Sequence, residues 1–158
     1  MNSILTCQSI AQRLIERGWR MATAESCTGG MISARCTDLA GSSAWFDRGY
    51  VTYSNAAKEA SLGVEHRLIE QHGAVSEEVA RAMAQGAVQH ANVQVSVAVT
   101  GVAGPTGGSD TKPVGTVWFA WCVNHALDSE KMVFSGDRAA VREAATLHAL
   151  QGILNRLA

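Results

Sequence analysis

Residues 21–36 read Met21-Ala22-Thr23-Ala24-Glu25-Ser26-Cys27-Thr28-Gly29-Gly30-Met31-Ile32-Ser33-Ala34-Arg35-Cys36. A short apolar approach ends in an acid, a serine, a thiol and a threonine. Two adjacent glycines follow, and then a run with helical character. Strand, tight turn and helix in succession are the unit of an α/β fold. They place the hydroxyls of Ser26 and Thr28 near a helix N-terminus, where orphan backbone N–H groups and the helix dipole favour negative charge. Ser26 there is either a nucleophile beside an oxyanion hole or a plain cap, and the rest of the chain has to decide.

Upstream, Ser3 is placed to cap a helix whose apolar positions Ile4, Cys7, Ile10, Ala11, Leu14 and Ile15 keep helical spacing, with Gly18 as its stop. A strand near Arg20–Ala24 then feeds the turn, and the helix after it is expected to run to about Leu39. Phe46 to Tyr53 reads as a second strand, and Ser54-Asn55 cap a short helix that contains Lys58 and closes at Gly63. A further short helix spans about Glu65–Gln71, and another begins at Ser76-Glu77-Glu78 and ends near Ala91. Val93 to Val99 alternates as a strand, followed by the glycine-rich loop Thr100 to Gly108. Val114–Val123 and about Lys131–Phe134 form a hairpin through Asn124-His125, and a last helix starts near Arg138. Strands separated by helices, with a late hairpin, predict one layered α/β/α domain over residues 1–158, its sheet mixed and mainly parallel. Both glycine-rich loops follow a strand, so they are expected to share one rim of the sheet.

Of the 158 residues, 47% are hydrophobic and only 17% charged, against a usual charged share of about 25%. So thin a charge supply suggests a homo-oligomer, a dimer in the simplest case. The net charge of −1 argues against direct nucleic-acid binding, which normally requires a basic face. Four cysteines without a CxxC pair read as reduced thiols in a cytoplasmic protein. The N-terminus carries no basic segment followed by a long apolar one, so no export signal and no membrane span are expected.

Serine needs a base to act as a nucleophile. The five histidines fall on or beside helices or in a turn, and read as surface residues; there is no G-x-S-x-G elbow, and no metal motif is found. Lys58, by spacing alone, is a solvated surface charge. To serve as a base its pKa must fall from ~10.4 to about 7–8, about 4 kcal/mol of differential stabilisation, through burial or a nearby cation. Glu25 either orients that amine or a substrate amide, or is a strand-end acid. Cys27 reads as a small buried hydrophobe rather than a rival nucleophile. Thr28, Gly29 and Gly30 offer N–H groups either to an oxyanion or to capping. The Thr100–Gly108 loop lacks a P-loop lysine and a dinucleotide fingerprint, yet a long loop of this kind is commonly functional. Arg138 and Arg142, one turn apart, either pair with a phosphate or form a solvated face.

Taken together, Ala24–Gly30, Val51–Asn55 with Lys58, Gly73–Ser76, Thr100–Pro105 with Gly107-Gly108, Lys112–Val117 and Phe134–Arg138 resemble the CinA C-terminal-domain family, in order and over nearly the whole chain. Val102 stands where isoleucine is frequent. The resemblance implies a stand-alone amidase that hydrolyses nicotinamide mononucleotide to nicotinic acid mononucleotide and ammonia without a cofactor. It implies Ser26 as nucleophile and Lys58 as base, which overturns the surface reading of Lys58. By the same resemblance Tyr53 orients Lys58 or contacts substrate, Thr100, Gly101 and Gly104 line the nucleotide site, and Arg138 and Arg142 hold the phosphate. The competing expectation is a non-catalytic nucleotide-binding or assembly module linked to competence or DNA damage.

Overall fold

The computed structural model describes residues 2–158; Met1, where the N-terminal stretch begins, lies outside the described residues. Asn2, rather than Ser3, caps helix α1 (Ser3–Arg17), its Oδ1 accepting from the Ile4 N–H at 2.8 Å. Gly18 ends the helix in the left-handed conformation, and Trp19 N–H reaches back to the Leu14 carbonyl at 2.9 Å, closing a Schellman turn. Strand β1 (Met21–Glu25) and helix α2 (Met31–Thr37) flank the opening turn; α2 stops two residues before the expected Leu39. Then come β2 (Phe46–Val51), α3 (Asn55–Leu62), α4 (His66–His72), α5 (Glu77–Ala91), β3 (Val95–Gly101), β4 (Thr116–Val123), β5 (Ala126–Val133) and α6 (Arg138–Arg156). Asn124 and His125 both have positive φ, which suits the tight turn between β4 and β5. β5 is twice as long as the expected Lys131–Phe134 strand.

The sheet order is β2-β1-β3-β4-β5. β1 pairs in parallel with β2 and β3, whereas β4 is antiparallel to both its neighbours. Four of the five strands therefore point one way, so the sheet is mixed and mainly parallel by strand direction. β1 lies between two parallel strands, and its C-terminal end, at Glu25, opens directly into the turn that carries Ser26.

Alternation along the strands sorts side chains by size. Met21, Val95, Val97, Val99, Val117, Phe119 and Trp121 build one core, with Cys7, Ile10 and Leu14 of α1, Ile32 and Cys36 of α2, and Val141, Leu150 and Ile153 of α6. Ala22, Ala24, Ala98, Ala120 and Cys122 face the other way, against Ala80, Met83, Ala84 and Ala87 of α5, with Leu62 and Ile69 beyond. Alanines on both surfaces let α5 lie close to the sheet, and the buried Ser96 hydroxyl donates to the Ala84 carbonyl at 2.7 Å. On the other layer, α6 approaches through Gly152, where a Cβ would overlap the Trp121 indole. The C-terminal ends of β1 and β3 lie side by side at one rim of the sheet, Glu25 paired with Val99.

Candidate active site

The turn after β1 is built around one acid. Glu25 is fully buried. Its Oε1 accepts from Thr28 Oγ1 at 2.7 Å, Gly30 N at 3.2 Å and Ile32 N at 3.0 Å. Its Oε2 accepts from Ser33 N at 3.0 Å and Ser33 Oγ at 2.8 Å. The carboxylate thus occupies the N-terminus of α2, satisfying donors that a helix start leaves free. It does not reach Lys58 or the cleft, so the expectation that Glu25 orients the amine or a substrate amide is corrected: its oxygens are consumed within the turn.

The same network occupies two of the backbone donors expected at the turn. Gly29 N–H donates to the Ser26 carbonyl at 3.0 Å and Gly30 N–H to Glu25. Thr28 is fully buried, away from the cleft. The N–H groups of Gly29 and Gly30 are therefore already engaged within the turn, and Thr28 does not line the cleft. Among the described residues, the N–H of Cys27 meets no carbonyl or carboxylate acceptor, and Cys27 lines the cleft beside Ser26.

Lys58 enters from α3. Ser54 caps that helix, its hydroxyl accepting from Ala57 N–H at 3.0 Å, and Gly63 closes it. Lys58 and Leu62, four residues apart, share its buried face, and Lys58 is only 1% exposed. Its Nζ donates to Ser26 Oγ at 2.9 Å and to the Thr52 carbonyl at 2.8 Å. Among the described residues no acid pairs with it; burial pushes its pKa below the ordinary lysine value, against a smaller opposing pull from the Cys27 thiol. The neutral amine that a base requires is what this environment favours. Burial pushes the neighbouring Cys27 thiol up to about 11, so the sulfur stays protonated near neutral pH.

Ser26 and Lys58 form the floor of a cleft of about 290 Å³ walled by the two glycine-rich loops. Thr100, Gly101 and Gly104 line it from the β3 side and Tyr53 and Arg138 from the mouth. Thr100 Oγ1 donates to the Ala74 carbonyl at 2.9 Å, fixing the 73–76 segment as part of the wall. A Cβ on Gly101 would lie 2.7 Å from Val117 and 2.9 Å from the Thr116 carbonyl, so β3 and β4 pair closely at the rim only with glycine there. Tyr53 is 61% exposed and does not touch the Lys58 amine; its hydroxyl accepts from Arg138 Nη2 at 2.9 Å. Arg138 Nη1 donates to the Gly104 carbonyl at 2.7 Å, so one guanidinium ties Tyr53, after β2, to the glycine-rich loop after β3 at the entrance. Arg142 is not brought to the cleft. It lies behind the turn, donating from Nε to the Cys27 carbonyl at 3.0 Å and from Nη2 to the Thr28 carbonyl at 3.3 Å.

Sequence reasoning overlooked the Thr52 carbonyl, Asn55, and Ala74 with Val75, all at the amine or in the cleft wall. Asn55 and the Gly73–Ser76 segment lay within stretches already singled out, but nothing in their spacing pointed at the cleft. His148 is not the surface residue expected: it is half-buried against the Phe119 ring, 4.7 Å between centroids, with Glu130 at 2.8 Å from its Nε2. It lies outside the cleft lining. Among the described residues, Lys58 and Arg138 are the only basic side chains that line the cleft, and no carboxylate faces it. Among the described residues no three His, Cys, Asp or Glu side chains converge to hold a metal, and no helix is long and apolar enough to cross a membrane.

The sequence profile of the CinA C-terminal domain matches residues 5–157. The nicotinamide-nucleotide amidohydrolase PncC of Enterobacter agglomerans is 53% identical over 146 residues, which cover 92% of this chain and 89% of that one. A CinA-like protein of Syntrophobacter fumaroxidans is also 53% identical, over 141 residues, but there the matched part is only 33% of the longer relative. The crystal structure of a CinA superfamily protein from Klebsiella pneumoniae superposes with a TM-score of 0.94 at 39% identity, covering 99% of this chain and 98% of the other.

Proposed function

The chain belongs to the CinA C-terminal-domain family, and from that premise we propose that it is an amidohydrolase that converts nicotinamide mononucleotide to nicotinic acid mononucleotide and ammonia. The observation that carries this reading is the 2.9 Å contact between a buried, acid-free Lys58 amine and the hydroxyl of Ser26. The name of the amidohydrolase relative, matched over most of both chains, supports the substrate class.

Ser26 Oγ attacks the carboxamide carbon while its proton passes to neutral Lys58 Nζ. The carbonyl oxygen, now carrying negative charge, is received by the Cys27 N–H. Lys58 returns the proton to the nitrogen as the C–N bond breaks, ammonia leaves, and an ester to Ser26 remains. A water molecule then attacks that ester, giving its proton to Lys58. The proton goes back to Ser26 Oγ as the acid is released. The Thr52 carbonyl holds Lys58 in reach of Ser26 at both stages. A cleft that no carboxylate lines, with the Arg138 guanidinium at its mouth, favours an anionic substrate, and Arg138 meets the phosphate once its loop contacts yield.

Ammonia release measured with nicotinamide mononucleotide, its riboside, free nicotinamide and the dinucleotide tests the reading. The mononucleotide is expected to be hydrolysed with the highest kcat/KM. Turnover of none of the four, with the mononucleotide still bound, would overturn it in favour of a binding module.

A further inference from the structure

Arg142 was placed by its sequence context among the phosphate ligands, but it does not line the cleft and its guanidinium instead holds carbonyls of the nucleophile turn. It is reached from α6, is half-buried, and donates to two successive carbonyls, those of Cys27 and Thr28. The α6 backbone is anchored there by the buried Val141. The neighbouring Glu143 carboxylate is engaged by Arg35 of α2 at 2.8 Å and not by Arg142. The fit behind the turn is close: a Cβ on Gly29 would come within 3.2 Å of Arg142 Nη2, in a residue that already has φ +58.

What this grip controls follows from peptide planarity. A carbonyl and the next N–H share a rigid plane and point in opposite directions. By holding the Thr28 carbonyl, Arg142 fixes the plane that contains the Gly29 N–H. That N–H donates to the Ser26 carbonyl at 3.0 Å, which fixes the next plane. The N–H in this second plane belongs to Cys27, which meets no carbonyl or carboxylate acceptor among the described residues and lines the cleft beside Ser26. Two peptide planes thus connect the guanidinium to the oxyanion position, and the positive charge polarises both in the direction that strengthens each N–H as a donor.

We propose that Arg142 is a positioning residue of the amidase site, setting the orientation and strength of the Cys27 N–H through the Thr28–Gly29 and Ser26–Cys27 peptides. This rests on the amidase reading above. It assigns Arg142 to the transition state and not to substrate binding, so the two parameters of turnover should separate.

The test compares wild type with Arg142→Ala and Arg142→Lys, each checked for retained fold by thermal unfolding. Losing an oxyanion donor outright lowers kcat by about 100- to 1,000-fold; loosening one through two peptides is expected to lower it about 10- to 100-fold. KM should change little, and the pH at which the rate levels off should stay where Lys58 sets it. Added guanidinium chloride, well below denaturing concentration, should restore part of the Arg142→Ala rate, whereas ammonium chloride should not. Arg142→Lys should fall between the two. A raised KM with kcat retained would instead make Arg142 a substrate ligand, and a loss that guanidinium leaves untouched would make it merely structural; either overturns the proposal. Labelling of Ser26 by a fluorophosphonate, which also builds charge at the oxyanion position, separates this from the substrate assignment. If the wild type labels but releases no ammonia, the amidase reading fails while slower labelling of Arg142→Ala still supports the positioning role. Equal labelling rates would overturn that role, and a wild type that neither labels nor turns over would overturn both.

Discussion

Replacing Glu25 with glutamine tests how the turn is held, because the change keeps size and shape and alters only what the oxygens can accept. Oε1 takes three donors, Thr28 Oγ1, Gly30 N and Ile32 N, and Oε2 takes Ser33 N and Ser33 Oγ. The new amide nitrogen settles on the Oε2 side, since the other orientation would strand two backbone donors instead of one. There the Ser33 hydroxyl can rotate to accept, but the Ser33 N–H faces another donor. A buried unsatisfied N–H costs about 1–3 kcal/mol, and the three bonds kept on Oε1 lose their charge assistance. Because such contributions are not additive, the expected loss is about 2–4 kcal/mol, large for a single isosteric change. In urea, where m is about 1–3 kcal/mol/M, the unfolding midpoint should fall by about 1–2 M with an unchanged slope. Activity should fall as well, since the turn carries Ser26. A midpoint within about 0.3 M of wild type would refute the claim that this carboxylate organises the turn.

Two further changes probe the base and the packing. With the Lys58 pKa held below its usual value by burial, kcat/KM should rise with pH through that lowered value and level off before ~10.4, the ordinary lysine value. The sign for stability is the same: between the two values the unfolded chain binds more protons than the folded one, so stability increases with pH, and Lys58→Met should remove that dependence. A rate that instead inflects at about 11 would point to the Cys27 thiol. Gly152→Ala should lower the melting temperature, because the new methyl overlaps the Trp121 indole and overpacking of about 1–3 kcal/mol exceeds the helix-propensity gain of about 1 kcal/mol; a raised melting temperature would contradict the close helix–sheet contact.

Much of the architecture was legible because it rests on local signals. Gly18 and Gly63 stop helices where left-handed backbone is needed, Ser54 and Ser76 cap the helices that follow them, and alternation marks β3 and β4. Strand order was not legible, since pairing of β1 with both β2 and β3 is a property of distant segments. Lys58 was misjudged from spacing because a lysine is rarely buried, although Leu62 one turn on showed which face of α3 turns inward. Glu25 and Arg142 were misplaced for a different reason. Arg142 is held only by backbone carbonyls and Glu25 largely by backbone N–H groups, which every residue carries, so side-chain pattern alone does not announce them. The glycine loops were found together at one rim, as strand-end loops should be, but which of their amides stay free depends on hydrogen bonds that only the folded turn displays.

The covalent intermediate tests the central claim most directly. Protein quenched in acid during turnover of nicotinamide mononucleotide, then mapped by peptide mass spectrometry, should carry the acyl group of the substrate as an ester on Ser26. Ser26→Ala should show no adduct and no ammonia release, and Lys58→Ala should form the adduct far more slowly. An adduct on Cys27, or undiminished ammonia release from Ser26→Ala, would contradict the account.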